Sequence, residues 1–148
     1  MPPRILLCLV LAAALPGCFE PYRKSDADSR KPLRNMAGDT TFLAFVGRLR
    51  TAVEKKDIPM IASLMTADFG YTWDESAAPT AQIFSYWDEN HLWPVLAGLL
   101  EKKFTPQDLY MVSPPELATD SKYNGPRCGM RVVNGSWKFA YFLPHGQQ

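Results

Sequence analysis

Hydrophobic and polar positions divide this chain into three stretches. Residues 5–15 are unbroken apolar (Ile-Leu-Leu-Cys-Leu-Val-Leu-Ala-Ala-Ala-Leu) behind the single charge of Arg4. Residues 19–40 are polar, mixed in charge and without hydrophobic periodicity. From there to about residue 146 the pattern is that of folded elements. Phe42, Phe45, Val46, Leu49, Ala52 and Val53 follow the spacing of one helix face, with Arg48, Arg50, Glu54, Lys55 and Lys56 mostly on the other. This predicts an amphipathic helix of about fifteen residues, capped by Thr40 or Thr41. Asp57 reads as a second cap, with Pro59 in the first turn of a short helix that buries Ile61, Leu64 and Met65. The alternating aromatic run at residues 69–73 predicts a strand. Residues 82–90 predict a third helix burying Ile83, Phe84 and Trp87. Pro94 starts a fourth, which carries Leu96, Leu99 and Leu100. Residues 109–112 read as a short strand and 113–126 as a long loop.

The C-terminal end is the clearest local pattern. Asn134-Gly135 suits a two-residue hairpin turn, in which both positions need positive φ. Counting outward pairs Val132 with Trp137, Met130 with Phe139 and Cys128 with Tyr141, which puts six apolar side chains on one face. Arg127, Arg131, Ser136 and Lys138 take the other, with Val133 and Phe142 as exceptions. Arg131 opposite Lys138 implies like-charge repulsion on a solvent-facing side.

The N-terminal stretch determines where the chain goes. Eleven apolar residues cover roughly 17 Å as a helix, about half of a bilayer's hydrocarbon core. Leu15, Pro16 and Gly17 then precede Cys18. This arrangement resembles the bacterial lipoprotein signal, with an aliphatic residue at −3, a small one at −1 and the cysteine that receives the lipid. The resemblance implies cleavage after residue 17, acylation of Cys18, and a membrane partner held through the lipid. Residues 18–40 become a flexible tether spanning about 25 Å, and residues 41–146 a single domain. Phe19 rather than Asp follows Cys18, so the known inner-membrane retention signal is absent. The expected location is the cell envelope, on the periplasmic side of the outer membrane if the host has one.

Charge and cysteine count sharpen this picture. The formal net charge is +1, and loss of Arg4 with the leader brings it to 0. A neutral chain gives no electrostatic case for nucleic acid. Of the three cysteines, Cys8 leaves with the leader and Cys18 is lipidated, so only Cys128 remains and no internal disulfide forms.

Within the domain, residues 42–73 (FLAFVGRLRTAVEKKDIPMIASLMTADFGYTW) resemble the helix, charged turn, short helix and strand that open NTF2-like, or SnoaL-like, domains. The ending Val-Asn-Gly-Ser-Trp-Lys-Phe at 133–139 is similar to their closing hairpin. The resemblance implies an α+β fold. In it a small curved antiparallel sheet wraps around helices as a cone of cystatin-like shape with an apolar pocket, reduced here to four strands, and the C-terminal hairpin closes it. Such folds carry enzymes and binding proteins alike.

Candidate chemistry is sparse. Asp74, at the end of the aromatic strand, and the pair Asp88 and His91, three residues apart, are the candidate acid/base groups. One histidine and one carboxylate fall short of a metal site, so no metal or cofactor is expected. His145 falls in a fraying tail. Tyr71 and Trp73, as pocket walls, and Tyr110 and Tyr123, as a rim, are the candidate ligand-binding residues, because aromatics favour both pockets and protein-binding faces. The sequence favours a binding or accessory module for an envelope protein or a small apolar ligand. An isomerase- or dehydratase-type enzyme and an inert spacer are the alternatives.

Overall fold

The structure is a computed structural model and describes residues 39–73 and 78–146. It is an α+β fold in which helices pack on one face of a five-stranded sheet. Helix α1 (Thr40–Glu54) buries the six residues its spacing predicts: Phe42, Phe45, Val46, Leu49, Ala52 and Val53. Its cap is Asp39, not a threonine. The Asp39 carboxylate accepts from Thr41 N at 2.8 Å and Thr41 Oγ1 at 2.7 Å. An ionised oxygen at the positive end of a helix outcompetes a hydroxyl, which becomes its donor instead. Helix α2 (Ile58–Leu64) has the predicted cap: Asp57 accepts from Met60 N at 3.1 Å.

Strand β1 (Met65–Gly70) begins four residues earlier than the aromatic alternation indicates, and Tyr71 to Trp73 form a bend beyond its end. Helices α3 (Thr80–Glu89) and α4 (Trp93–Glu101) follow closely as predicted. Strand β2 (Thr105–Gln107) has no sequence signal, because Pro106 sits inside it. Proline is tolerated there since β2 is an edge strand, where no neighbour needs its missing N–H. Strand β3 (Tyr110–Ser113) is joined to it by a two-residue turn, and Asp108 in that turn adopts φ 52°. One turn of helix, α5 (Glu116–Thr119), interrupts the predicted long loop.

Strands β4 (Arg127–Val133) and β5 (Ser136–Leu143) form the predicted hairpin, with φ of 50° at Asn134 and 75° at Gly135. The strand order is β1-β5-β4-β3-β2. The sheet is mixed, since β1 runs parallel to β5 while the other pairs are antiparallel. Val132 faces Trp137 and Met130 faces Phe139, as counted from the turn. Beyond them the register slips. Gly129 faces Tyr141 and Cys128 faces Phe142, so Ala140 is an extra residue in β5. The expected pairing of Cys128 with Tyr141 is therefore corrected. Because side chains alternate, one inserted residue sends Phe142 into the core and Tyr141 to the opposite face.

The inner face of the sheet is filled by rings packed on rings. Trp87 is fully buried, with ring centroids 5.2 Å from Phe84, 5.2 Å from Trp93, 5.4 Å from Phe142, 6.1 Å from Phe69 and 6.4 Å from Phe139. Cys128 is a free thiol within this core, and burial pushes it well above its ordinary pKa. It is thus an apolar packing residue rather than a nucleophile. The last carbonyls of α4 find partners across the fold: Ser113 Oγ donates to Leu99 O, and Arg50 Nη2 to Leu100 O, each at 2.7 Å.

On the outer face, Arg131 and Lys138 are paired as counted. Their repulsion is relieved from outside the hairpin. Arg131 Nη2 reaches across β5 to both oxygens of Asp68 at 2.8 Å, and Lys138 Nζ donates to Ser63 O at 2.7 Å. Partial burial raises the Asp68 pKa, but the neighbouring Thr66 side chain and the Arg131 guanidinium, through its hydrogen bonds and its charge, outweigh it and hold the carboxyl below its ordinary value.

A lowered folded-state pKa means that this stabilisation is present above the unfolded value, about 3.9, and is lost as pH falls through the folded value. Asp68→Asn should reduce stability at pH 7 by up to about 1 kcal/mol, the range for a solvent-screened pair. The difference from the native chain should shrink below about pH 4. Urea midpoints at pH 7 and pH 3 measure this, and a deficit independent of pH would contradict it.

Candidate functional site

The slip at Ala140 builds an aromatic surface on the outer face. Tyr141 lies over Gly129, where a Cβ would run into its ring. Glycine is needed at this position for close approach rather than for its φ freedom. Tyr110, from β3, meets Tyr141 edge-on at 5.6 Å between centroids. Arg127 opens β4 on the same face as Gly129, two residues away.

Arg127 is held on several sides. Its guanidinium lies 5.1 Å from the ring centroid of Trp73 and 5.4 Å from that of Tyr123. Its Nη2 donates to Tyr123 O at 3.0 Å and its Nε to Gly125 O at 3.3 Å. The flanking rings are fixed in turn. Tyr123 donates its hydroxyl to Pro126 O at 2.7 Å, and Trp73 Nε1 donates to His145 O at 2.9 Å. The end of the chain is thereby tied to the bend after β1, which corrects the expectation of a fraying tail at His145. Trp73 remains 42% exposed, while Tyr110, Tyr123, Arg127 and Tyr141 are half-buried.

Burial raises the pKa of both Tyr123 and Tyr141, against the opposing charge of Arg127. The phenols therefore stay protonated at neutral pH. The surface offers one cation, neutral hydroxyls and ring faces.

The predicted ligand-binding residues separate. Trp73 and Tyr123 converge on Arg127, and Tyr110 joins them through Tyr141. Tyr71 does not: it is buried against Tyr86 at 5.6 Å and accepts from Gln82 Nε2 at 2.9 Å, as part of the α3 packing. The sequence reading missed Arg127 and Tyr141. Arg127 had been placed on the polar face of the hairpin without a role, and Tyr141 on the wrong face.

Among the acid/base candidates, Asp74 lies outside the described residues, as does the lipidation candidate Cys18. Asp88 is exposed and already engaged. Trp93 Nε1 donates to its Oδ1 at 2.6 Å, and Lys56 Nζ stands 3.5 Å from the same oxygen while lying 5.3 Å over the Trp93 ring. His91 follows α3 with φ 54° and is exposed, in a backbone turn whose geometry takes its N–H to Asp88 O at 3.2 Å. Asp88 thus ties the α1–α2 turn to the α3–α4 turn and is not held in an acid/base pair with His91.

A surface groove of about 390 Å³ also runs along α1 and α2, lined by Gly47, Arg48, Thr51, Ala52, Lys55, Asp57 and Met60. Its one carboxylate is the α2 cap. Among the described residues, no group of three or more His, Cys, Asp or Glu could hold a metal ion. Nor is any described helix long and apolar enough to cross a membrane.

Removing the Asp88 carboxylate should therefore act on folding. Asp88→Ala leaves the Trp93 indole N–H, in a residue only 7% exposed, without its acceptor. We expect a loss of about 1–2 kcal/mol, with a smaller loss for Asp88→Asn, which keeps an acceptor. Thermal unfolding of the two variants tests this, and unchanged stability in Asp88→Ala would refute it.

The comparisons bring no relative to bear: no family model, curated protein or solved structure matches this chain. Its function has to be read from the surface around Arg127.

Proposed function

We propose that this chain is a lipid-anchored binding module of the cell envelope, and that it engages a protein partner through the outer sheet face around Arg127. The observation that carries this reading is the contact of Arg127 with both Trp73 and Tyr123, on the sheet face that also carries the Tyr110–Tyr141 pair. Tryptophan, tyrosine and arginine are the residues that dominate binding energy at protein interfaces. Here they are held rigid before any partner arrives, which lowers the ordering cost of association.

The form of the surface favours a protein over a small apolar ligand. Among the described residues it is an open sheet face with half-buried rings, whereas small molecules bind in clefts that enclose them. The rings that might have lined an interior pocket are packed against one another around Trp87. The site also offers a fixed cation and neutral phenols.

The anchor belongs to the same proposal. The apolar run ending in Leu15-Pro16-Gly17-Cys18 supports lipidation at Cys18. Phe19 at the next position supports the outer membrane, periplasmic side, in a host with two membranes. The polar residues from 19 to the start of α1 would act as a tether that lets the domain reach a partner in the envelope.

Site-specific photocrosslinking in the native envelope tests the binding reading. A crosslinker placed at Lys122, beside the face, should yield a discrete adduct with the native chain. Trp73→Ala and Arg127→Ala should each reduce its yield roughly tenfold, the usual consequence of removing an interface anchor. Arg48→Ala, on the helix side, should leave it unchanged. Adduct yield that ignores Trp73 and Arg127 in folded variants would overturn the proposal.

A further inference from the structure

The chemistry around Arg127 identifies what the partner presents. Resting on the binding reading above, we infer that this face recognises a carboxylate borne next to an apolar side chain on a partner peptide. Arg127 takes the carboxylate, and the Tyr110–Tyr141 pair takes the apolar group.

The argument starts from charge. Arg50 pairs with Glu101 at 2.7 Å, Arg131 with Asp68 at 2.8 Å, and Lys56 with Asp88 at 3.5 Å. Among the described residues no carboxylate pairs with Arg127, although it is half-buried. Its partners there are two carbonyls and two ring faces, and none of these neutralises it. A guanidinium has five N–H donors in one plane. The two carbonyls occupy one on Nε and one on Nη2, which leaves three. A planar carboxylate is the anion that matches such a fork through paired hydrogen bonds. The carbonyls on Nε and on one N–H of Nη2 leave Nη1 and the other N–H of Nη2 for a ligand, the pair of donors that paired bonding requires.

The apolar half of the ligand is set by Tyr141. Its ring is carried on Gly129, and Tyr110 closes one edge at 5.6 Å. The two-residue step from Arg127 to Gly129 sets the backbone beneath this platform one side-chain repeat, roughly 7 Å, along the strand from that of Arg127. A carboxylate and a neighbouring side chain on one peptide span about that distance. Arg127 brings one positive charge, which suits a monoanion better than a phosphate dianion.

The test uses the mature chain, beginning at residue 18, in detergent micelles, with 15N detection of the Trp73 indole and Arg127 Nε–H signals. The probes are N-acetyl-phenylalanine, its carboxamide, acetate and inorganic phosphate. N-acetyl-phenylalanine should shift both signals saturably. Its amide, which lacks the charge, and acetate, which lacks the ring, should each bind roughly tenfold more weakly. Arg127→Gln should abolish the response while leaving the Trp87 indole signal in place as a check on the fold.

Equal binding of acid and amide, preference for phosphate, or an unaffected Arg127→Gln response would each overturn the inference. So would the absence of any shift at millimolar probe. The failures are separable. If the probes fail while the crosslinked adduct still depends on Trp73 and Arg127, the binding face stands and carboxylate recognition falls. If the adduct is independent of both residues, the binding reading itself falls.

Discussion

One extra residue in a strand decides what this domain shows to its surroundings. Ala140 occupies a position in β5 that has no counterpart in β4, between the pairs Met130–Phe139 and Gly129–Tyr141. Because strand side chains alternate, everything beyond it changes face. Phe142 turns inward and completes the ring cluster on Trp87. Tyr141 turns outward onto Gly129, beside Tyr110 and two residues along from Arg127. Bulges commonly re-aim side chains at functional edges of sheets, and this one completes the core and the candidate site in a single step.

The same economy appears in how the charged residues are used. Several of the ionised groups in the described part of the fold have structural work. Asp39 and Asp57 cap helices, Asp68 offsets the Arg131–Lys138 repulsion, Asp88 joins two turns, and Arg50 meets both Glu101 and the end of α4. Arg127 is met, among the described residues, by two rings and two carbonyls rather than by a paired acid. An arginine held in this way is already in place to bind, and binding then costs little side-chain entropy.

Much of the fold was legible because local signals agreed with tertiary demands. The α1 stripe from Phe42 to Val53, the Asp57–Pro59 start of α2, and the Asn134–Gly135 turn each followed from residue spacing or turn chemistry, and each is present. What escaped the sequence depended on distant neighbours. Strand β2 contains Pro106 and exists because β3 folds back on it. Strand β1 starts at Met65, set by its parallel pairing to Phe139, a contact between residues far apart in sequence. The bulge leaves no mark on an alternating pattern, because Tyr141 and Phe142 are both apolar enough for either face. For the candidate site, Trp73, Tyr110 and Tyr123 stood out in the sequence as aromatics suited to a pocket wall or rim. Arg127 did not, since its value lies in rings supplied by two separate segments, Trp73 after β1 and Tyr123 before β4, and Tyr71 proved to be core because Tyr86 and Gln82 cover it.

The central claim is that Ala140 turns Tyr141 out and Phe142 in. Nuclear Overhauser contacts of the two rings test it most directly. The account predicts contacts from the Tyr141 ring to Gly129 Hα and to the Tyr110 ring, with ring-current shielding of that Hα, and contacts from the Phe142 ring to the Trp87 indole. Contacts from Tyr141 to the Trp87 indole, with Phe142 facing solvent, would show an uninterrupted register and would remove the basis for the site.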